Sequence, residues 1–328
     1  MQNYSTLSCS VDKKSDILFF SLIDYQNSLF VSSQLQNILL FYNNFADRDS
    51  LVNWMRKRPK GRTKIIEVEG IKDAIVVIPT SSFEGEYAKT CKDEIFRGLH
   101  IIFVESGEAP DPYFNYSHNI NIGIKYALKY NPKWIIISND DMYKIDDIST
   151  LLRCLKETPI DSDIIFAKKN GDFRSYITKV VSFNYFGRFV KKLSLKVKPR
   201  EFRFFISSMI LLARYNINIL SGFTGTSPRS LFLRKMNDFM NVNNFAIFNA
   251  RFVIEQGGML FDEIFINGYE DLDLSIRIFV TKLKIDFVDY RIGAFQGKSL
   301  GISQLRSLRD IANLAYFNSK YPNLHDII

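Results

Sequence analysis

Apolar positions along the chain follow two patterns, and the patterns alternate. Ala74–Ile78 (AIVVI), Leu99–Val104 (LHIIFV) and Trp134–Ile137 (WIII) are unbroken runs rich in β-branched residues. Such runs mark strands covered on both faces. Between the second and third, Asn121–Tyr130 repeats Ile124, Ala127 and Leu128 at helical spacing and closes on Asn131-Pro132. Strand, helix and strand in this order predict an α/β fold with a mostly parallel sheet flanked by helices. Further along, a helix is predicted from near Tyr269, with Leu272, Ile276, Phe279, Val280 and Leu283 on its inner face. Ile285–Tyr290 reads as a last strand before the glycine-rich Gly293–Gly301, and Gln304–Phe317 as a closing helix.

The first 70 residues read differently. Ile17–Ile23 (ILFFSLI) predicts a buried strand and Leu35–Phe41 a short helix. Asp49–Arg58 has an acidic start and a basic end, which suits a helix dipole, and it stops at Pro59 and Gly61. The expected organisation is an added N-terminal α/β segment over 1–70, a main domain over 71–300 and a helical tail over 301–328. The stretch Lys168–Asn244 is the least regular. Within it, seven basic residues of Arg188–Arg203 precede the apolar run Phe204–Leu212.

Composition narrows the classes. With 328 residues, 46% of them apolar and 24% charged, the chain is neither disordered nor a small disulfide scaffold. Three cysteines without C-x-x-C spacing and three histidines give no zinc pattern, so any chemistry is expected to run on carboxylates. A net charge of +8 favours anionic partners. The polar N-terminus and the lack of any run of about 18 apolar residues predict a soluble, cytoplasmic protein. Its basic stretch and Phe204–Leu212 could rest on the inner face of an anionic membrane and present a lipid-linked acceptor. Nucleic acid is disfavoured, because aromatics are not interleaved with the basic residues as stacking platforms require.

In open α/β sheets ligands bind at the carboxyl ends of strands. Pro79-Thr80, Glu105-Ser106 and Asn139-Asp140-Asp141 follow three different strands. A strand-end pair of aspartates is either two solvated turn residues or a clamp for a hard divalent ion carrying a diphosphate. On the second reading Asp141 is the expected ion ligand and Asp140 lies nearer the nucleotide. Glu270-Asp271-Leu272-Asp273 either complements a helix dipole or supplies a general base for an acceptor hydroxyl. Glu105 is placed to accept hydrogen bonds from a nucleoside. No G-x-G-x-x-G or G-x-x-x-x-G-K-[ST] motif occurs, which removes support for dinucleotide and P-loop binding. A nucleotidyltransferase shares the nucleotide and metal requirements. It is disfavoured because the segment after the first strand, Ser81–Glu86, has two acids and one glycine rather than a basic glycine-rich loop.

Taken in order, AIVVIPT (74–80), IIFVESG (101–107), NIGIKYA (121–127), IIISNDDM (135–142) and GGMLFDEIFINGYEDLDLSIR (257–277) resemble the family 2 glycosyltransferases of GT-A fold, over roughly residues 72–300. The resemblance implies an inverting, metal-assisted transfer of a sugar from a nucleotide-diphosphate donor to a hydroxyl of a glycan, lipid-linked or protein acceptor. It places Pro79 and Thr80 along the nucleotide, Glu105 on the nucleoside and Asn139-Asp140-Asp141 at the DxD position. Asp141 then holds Mg²⁺ or Mn²⁺, and Asp271 is the catalytic base supported by Glu270. Two departures stand out: Asn139 replaces the first DxD aspartate, and Gln296, before Gly297-Lys298-Ser299, stands where the family often has a metal-binding histidine. Lys298 could take over part of the neutralisation of the diphosphate.

Overall fold

The computed structural model describes residues 13–107, 111–167, 174–181, 199–217, 219–224, 238–240, 242, 244–295 and 304–322. The chain opens with three helices, α1 (Lys13–Phe30), α2 (Leu35–Asn43) and α3 (Arg48–Lys57). The strand expected over Ile17–Ile23 is therefore the middle of a helix. A run of seven apolar and small residues fits either element, and here the buried positions decide. Ile23, Gln26-Asn27 and Leu29-Phe30 face inward at intervals of three and four, as in one helical stripe. α3 starts on a reciprocal cap, in which the Asp47 carboxylate accepts from Ser50 N–H at 2.8 Å and the Ser50 hydroxyl receives Asp47 N–H.

Strands β1 (Lys64–Val68) and β2 (Ile71–Thr80) follow, then α4 (Glu86–Thr90) running into a π-helical turn. Next come β3 (Leu99–Glu105), α5 (Tyr116–Ala127), β4 (Trp134–Ser138), β5 (Met142–Lys144), α6 (Ile148–Glu157) and β6 (Ile164–Ala167). Strands β7 (Arg174–Val181), β8 (Ile219–Thr224) and β9 (Asp238–Met240) make a separate antiparallel sheet, with helix α7 (Pro199–Arg214) between β7 and β8 in the chain. Strand β10 (Phe245–Asn249) leads into α8 (Ala250–Glu255), α9 (Glu270–Thr281), β11 (Ile285–Val288), β12 (Ile292–Ala294) and α10 (Gln304–Lys320).

The main sheet has seven strands in the order β1-β3-β2-β4-β10-β6-β11. It is mixed rather than mostly parallel. β3-β2, β2-β4 and β6-β11 are parallel, whereas β1-β3, β4-β10 and β10-β6 are antiparallel. The expectation missed β10 because its five residues, FAIFN, follow an irregular stretch with no preceding periodicity. β1, in the first 70 residues, belongs to the same sheet as its edge strand.

Three apolar clusters organise the molecule. One face of the sheet packs on α4, the π turn and α6, through Val76, Ile78, Ile101 and Ile136. The other packs on α5, α8 and α9, through Val77, Val104, Ile135 and Ile137. The third is helical and joins α1–α3 to α7 and α10 around Phe41, Trp54, Tyr215 and Ala312. Met209, Leu211 and Leu212 of the apolar run in α7 turn into this third core, and Ile210 is exposed. On α9 the buried apolar positions are Leu274, Ile276 and Ile278; Val280, expected inside, is exposed. The helix packs into two cores, with Leu272 and Ile276 towards the helical one and Leu274, Ile278 and the following Leu283 towards the sheet, so a single inner stripe does not describe it. Among the described residues no helix is long and apolar enough to cross a membrane.

Candidate functional site

The carboxyl ends of β2, β3 and β4 lie side by side, so the residues that follow them share one rim of the sheet. Thr80, buried at the end of β2, donates its hydroxyl hydrogen to Asp140 Oδ2 at 2.9 Å. Pro79 pairs with Val104 and Thr80 with Glu105 in the parallel register. Glu105 accepts the Phe83 N–H at 3.0 Å, and Lys64 on the antiparallel edge strand sits 3.2 Å from its other oxygen. The Phe83 N–H and then the Lys64 ammonium hold this carboxyl below its ordinary range. It is thus ionised and fixed at the rim.

The three polar residues after β4 diverge, as alternation along an extended chain requires. Asn139 Oδ1 accepts the Tyr116 hydroxyl at 3.0 Å, towards α5. Asp140 turns to Thr80 and the Cys91 side, where Cys91 Sγ lies 3.3 Å from its carbonyl. Asp141 is 3% exposed, and its Oδ1 is buried without a hydrogen-bond partner among the described residues. Burial, together with the Asp141 charge, pushes the Asp140 carboxyl up. A buried carboxylate with an unmatched oxygen beside a half-buried one is unfavourable unless a proton or a cation neutralises the pair. The donor set is all oxygen, which suits a hard ion such as Mg²⁺ or Mn²⁺ and does not suit zinc.

The second acidic cluster starts α9. Asn267 and Tyr269 take left-handed backbone conformations, φ +53° and +70°, and turn the chain sharply into the helix. α5 holds the preceding loop: Asn121 accepts Leu260 and Phe261 N–H and donates to Phe261 O, and Tyr116 N–H donates to Asn267 Oδ1 at 2.8 Å. Glu263 receives His118 Nδ1 at 2.9 Å and Asn121 Nδ2 at 3.0 Å. Asp262 receives Tyr316 and Lys320 of α10, each at 2.7 Å. Asp273, fully buried, is matched by Arg277, Lys320 and Tyr321. These residues hold the helix start in place. Burial raises the Glu270 and Asp271 carboxyls, and Asp271 Oδ1 accepts the Leu272 N–H at 2.8 Å. Glu270 Oε2 has no hydrogen-bond partner among the described residues.

Tyr116 connects the two clusters. Its phenol is raised by burial and then by Glu270, Asp271, Asp141 and Asp140, so four carboxylates from two distant stretches act on one hydroxyl. The carboxylates after β4 and at the α9 start therefore lie in one neighbourhood around Tyr116, and Glu105 stands in register with Thr80, which bonds Asp140. Two members are absent from the sequence reading. Tyr116 lies in the polar stretch before the predicted helix. Asp310 on α10 is raised to about 6 by burial, with Arg306 opposing and Asp271 adding to the rise. Neither carries a spacing signal in one sequence. Gln296 and Lys298 lie outside the described residues, as does Arg188–Lys198 of the basic stretch.

Glu67, Glu69 and His100 form another group whose ligating atoms lie within 4.8 Å of one another. It sits at the amino-terminal end of β3, away from the strand carboxyl ends. The Glu67 carboxylate already accepts Tyr126 at 2.7 Å, Tyr130, and His100 Nε2 at 3.1 Å, tying β1 and β3 to the end of α5. No family model matches the chain, and no curated protein matches it significantly.

Proposed function

We propose that the protein is an inverting glycosyltransferase of GT-A type that moves a sugar from a nucleotide-diphosphate donor to an acceptor hydroxyl. The observation that supports it is that Tyr116, bonded through its hydroxyl to Asn139, feels the charge of both acidic clusters, with one unmatched oxygen on Asp141 and another on Glu270. In this reading the nucleoside lies along Pro79, Thr80 and Glu105. Asp141, with Asp140 behind it, would hold a divalent cation. When bound, that ion neutralises charge on the departing diphosphate.

The protein groups divide the remaining work. Asp271 takes the proton from the acceptor hydroxyl, whose oxygen forms the new bond to the anomeric carbon. The bond from that carbon to the diphosphate oxygen breaks on the opposite face, and its electron pair leaves with the nucleoside diphosphate. Burial raises Asp271 towards the range where a general base works best near neutral pH. The Leu272 N–H, 2.8 Å from Asp271 Oδ1, orients the carboxylate, and the neighbouring Glu270 supports it.

A thermal-shift panel of nucleotide-sugars with Mg²⁺ and Mn²⁺ identifies the donor, since a bound ligand raises the unfolding temperature. With that donor, Asp271→Asn is expected to lower transfer by about 10²–10⁴-fold while donor affinity stays within about twofold. Asp141→Ala is expected to remove the metal-dependent part of donor binding. Wild-type turnover in Asp271→Asn would disprove the base assignment, and pyrophosphate release from nucleoside triphosphates without sugar transfer would replace the reaction class.

A further inference from the structure

His100 lies at the start of β3, where the alternation of the strand turns it to the same side as Ile102 and Val104, the side that packs on α5. It is fully buried, with its ring edge-on to Tyr130 at a centroid distance of 4.8 Å. Nε2 lies 3.1 Å from Glu67 Oε2. Hydrogen bonds from Tyr130 and then Tyr126 hold the Glu67 carboxyl below its ordinary range, so it is ionised and only accepts. A ring proton therefore sits on Nε2, and in the neutral imidazole Nδ1 presents a lone pair. Nδ1 is buried without a hydrogen-bond partner among the described residues, and it faces another acceptor, Glu69 Oε2, 3.5 Å away. Glu69 stands in the short turn between β1 and β2 and leaves 75% of its side chain exposed.

We infer that His100 Nδ1 and the Glu69 carboxylate are the protein ligands of a site for a divalent transition ion of the Zn²⁺ class, with water completing its shell. The site is separate from the one at Asp141 and does not depend on the sugar-transfer reading. Two acceptors facing each other, one of them buried, call for a cation between them. Two ligands each about 2.0–2.2 Å from an ion at a near-tetrahedral angle stand about 3.4 Å apart, close to the 3.5 Å between Nδ1 and Oε2. An imidazole nitrogen selects this class of ion over Mg²⁺ or Ca²⁺. Glu67 is the carboxylate that orients a metal-binding histidine through its other ring nitrogen, and the two tyrosines fix that carboxylate in turn. Lys72 Nζ lies 3.2 Å from the same Glu69 oxygen, in an exposed pair weak enough for an ion to displace. The exposed Glu69 gives the ion its way in, and the bound ion clamps the β1–β2 turn to β3.

The experiment titrates Zn²⁺ into the full chain by calorimetry, with excess Mg²⁺ present to fill sites built of hard oxygens. In parallel, ¹⁵N NMR of histidine-labelled protein follows the imidazole nitrogens. The chain has three histidines, His100, His118 and His325, so His118→Gln and His325→Gln assign the His100 signals by elimination. Zn²⁺ is expected to bind and to move the His100 Nδ1 resonance. Glu69→Gln should weaken that binding at least about tenfold. Asp141→Ala should leave it within about twofold, because the two sites are independent. Glu69 is largely exposed, so its variant keeps the fold, and an unchanged unfolding temperature without Zn²⁺ checks this. A His100 signal unmoved by saturating Zn²⁺, undiminished affinity in Glu69→Gln, or affinity lost in Asp141→Ala overturns the site.

Discussion

Four carboxylates from two distant stretches of the chain, together with burial, raise the Tyr116 phenol. Asp310 belongs to the same neighbourhood and gives the clearest pH signature. Burial raises its carboxyl from 3.8 to about 6. The folded protein therefore holds this proton more tightly than the unfolded chain. The stability from that proton is complete below the unfolded value and is lost as pH rises through the folded one. Asp310→Asn is expected to raise the unfolding temperature near pH 7.5, by the equivalent of about 1–2 kcal/mol, and to have no effect near pH 4. Thermal unfolding at the two pH values checks this, and an equal gain at both would refute it. The aspartates after β4 and at the α9 start were legible because acidic residues at a strand end or helix start carry chemistry in their position. Tyr116 and Asp310 were not, because only the folded chain brings them to those acids.

Elements show the same division. Strands β2, β3 and β4 announced themselves as continuous apolar runs, since a strand covered on both faces needs apolar residues at every position. α1 was ambiguous for that same reason: a run of apolar residues has no period. α5 was legible by its spacing, yet its tight seat on the sheet depends on one small residue. A Cβ on Gly123 would come within 2.4 Å of Val77 Cγ1 and 2.8 Å of Val104 Cγ2. Gly123→Ala gains about 1 kcal/mol of helix propensity and loses about 1–3 kcal/mol to overpacking. Because α5 also carries Tyr116 and Asn121, the displacement should lower activity more than stability. Urea midpoints read beside transfer rates test this, and a stabilised, fully active variant would contradict it.

At the scale of the whole molecule, the helices of the first 60 residues and the start of α9 are joined through α10. Its apolar side packs in the helical core with Phe41 and Trp54, while Lys320 reaches both Asp262 and Asp273 beside the α9 start. Arg58, buried after α3, donates to Asn27 and to the carbonyls of Pro112 and Tyr113, linking the helices to the segment before α5. The sequence predicts α2, α3 and α10 as helices but not their packing together, which includes contacts such as Tyr42 to Leu308, 266 positions apart. Its consequence is cooperative unfolding, and the two tryptophans report it from opposite sides: Trp54 sits in the helical core and Trp134 in the sheet. With Trp134→Phe only Trp54 fluoresces, and with Trp54→Phe only Trp134. If α10 makes one cooperative body of these cores, each variant should show a fluorescence transition that coincides with its own circular-dichroism transition in urea. Lys320→Met removes the cation that matches Asp273 and Asp262, and loss of one partner from a buried charge cluster costs about 3–5 kcal/mol. In that background both reporters should move to lower urea together. A Trp54 transition that precedes the Trp134 transition would mean the helical layer is an independent attachment.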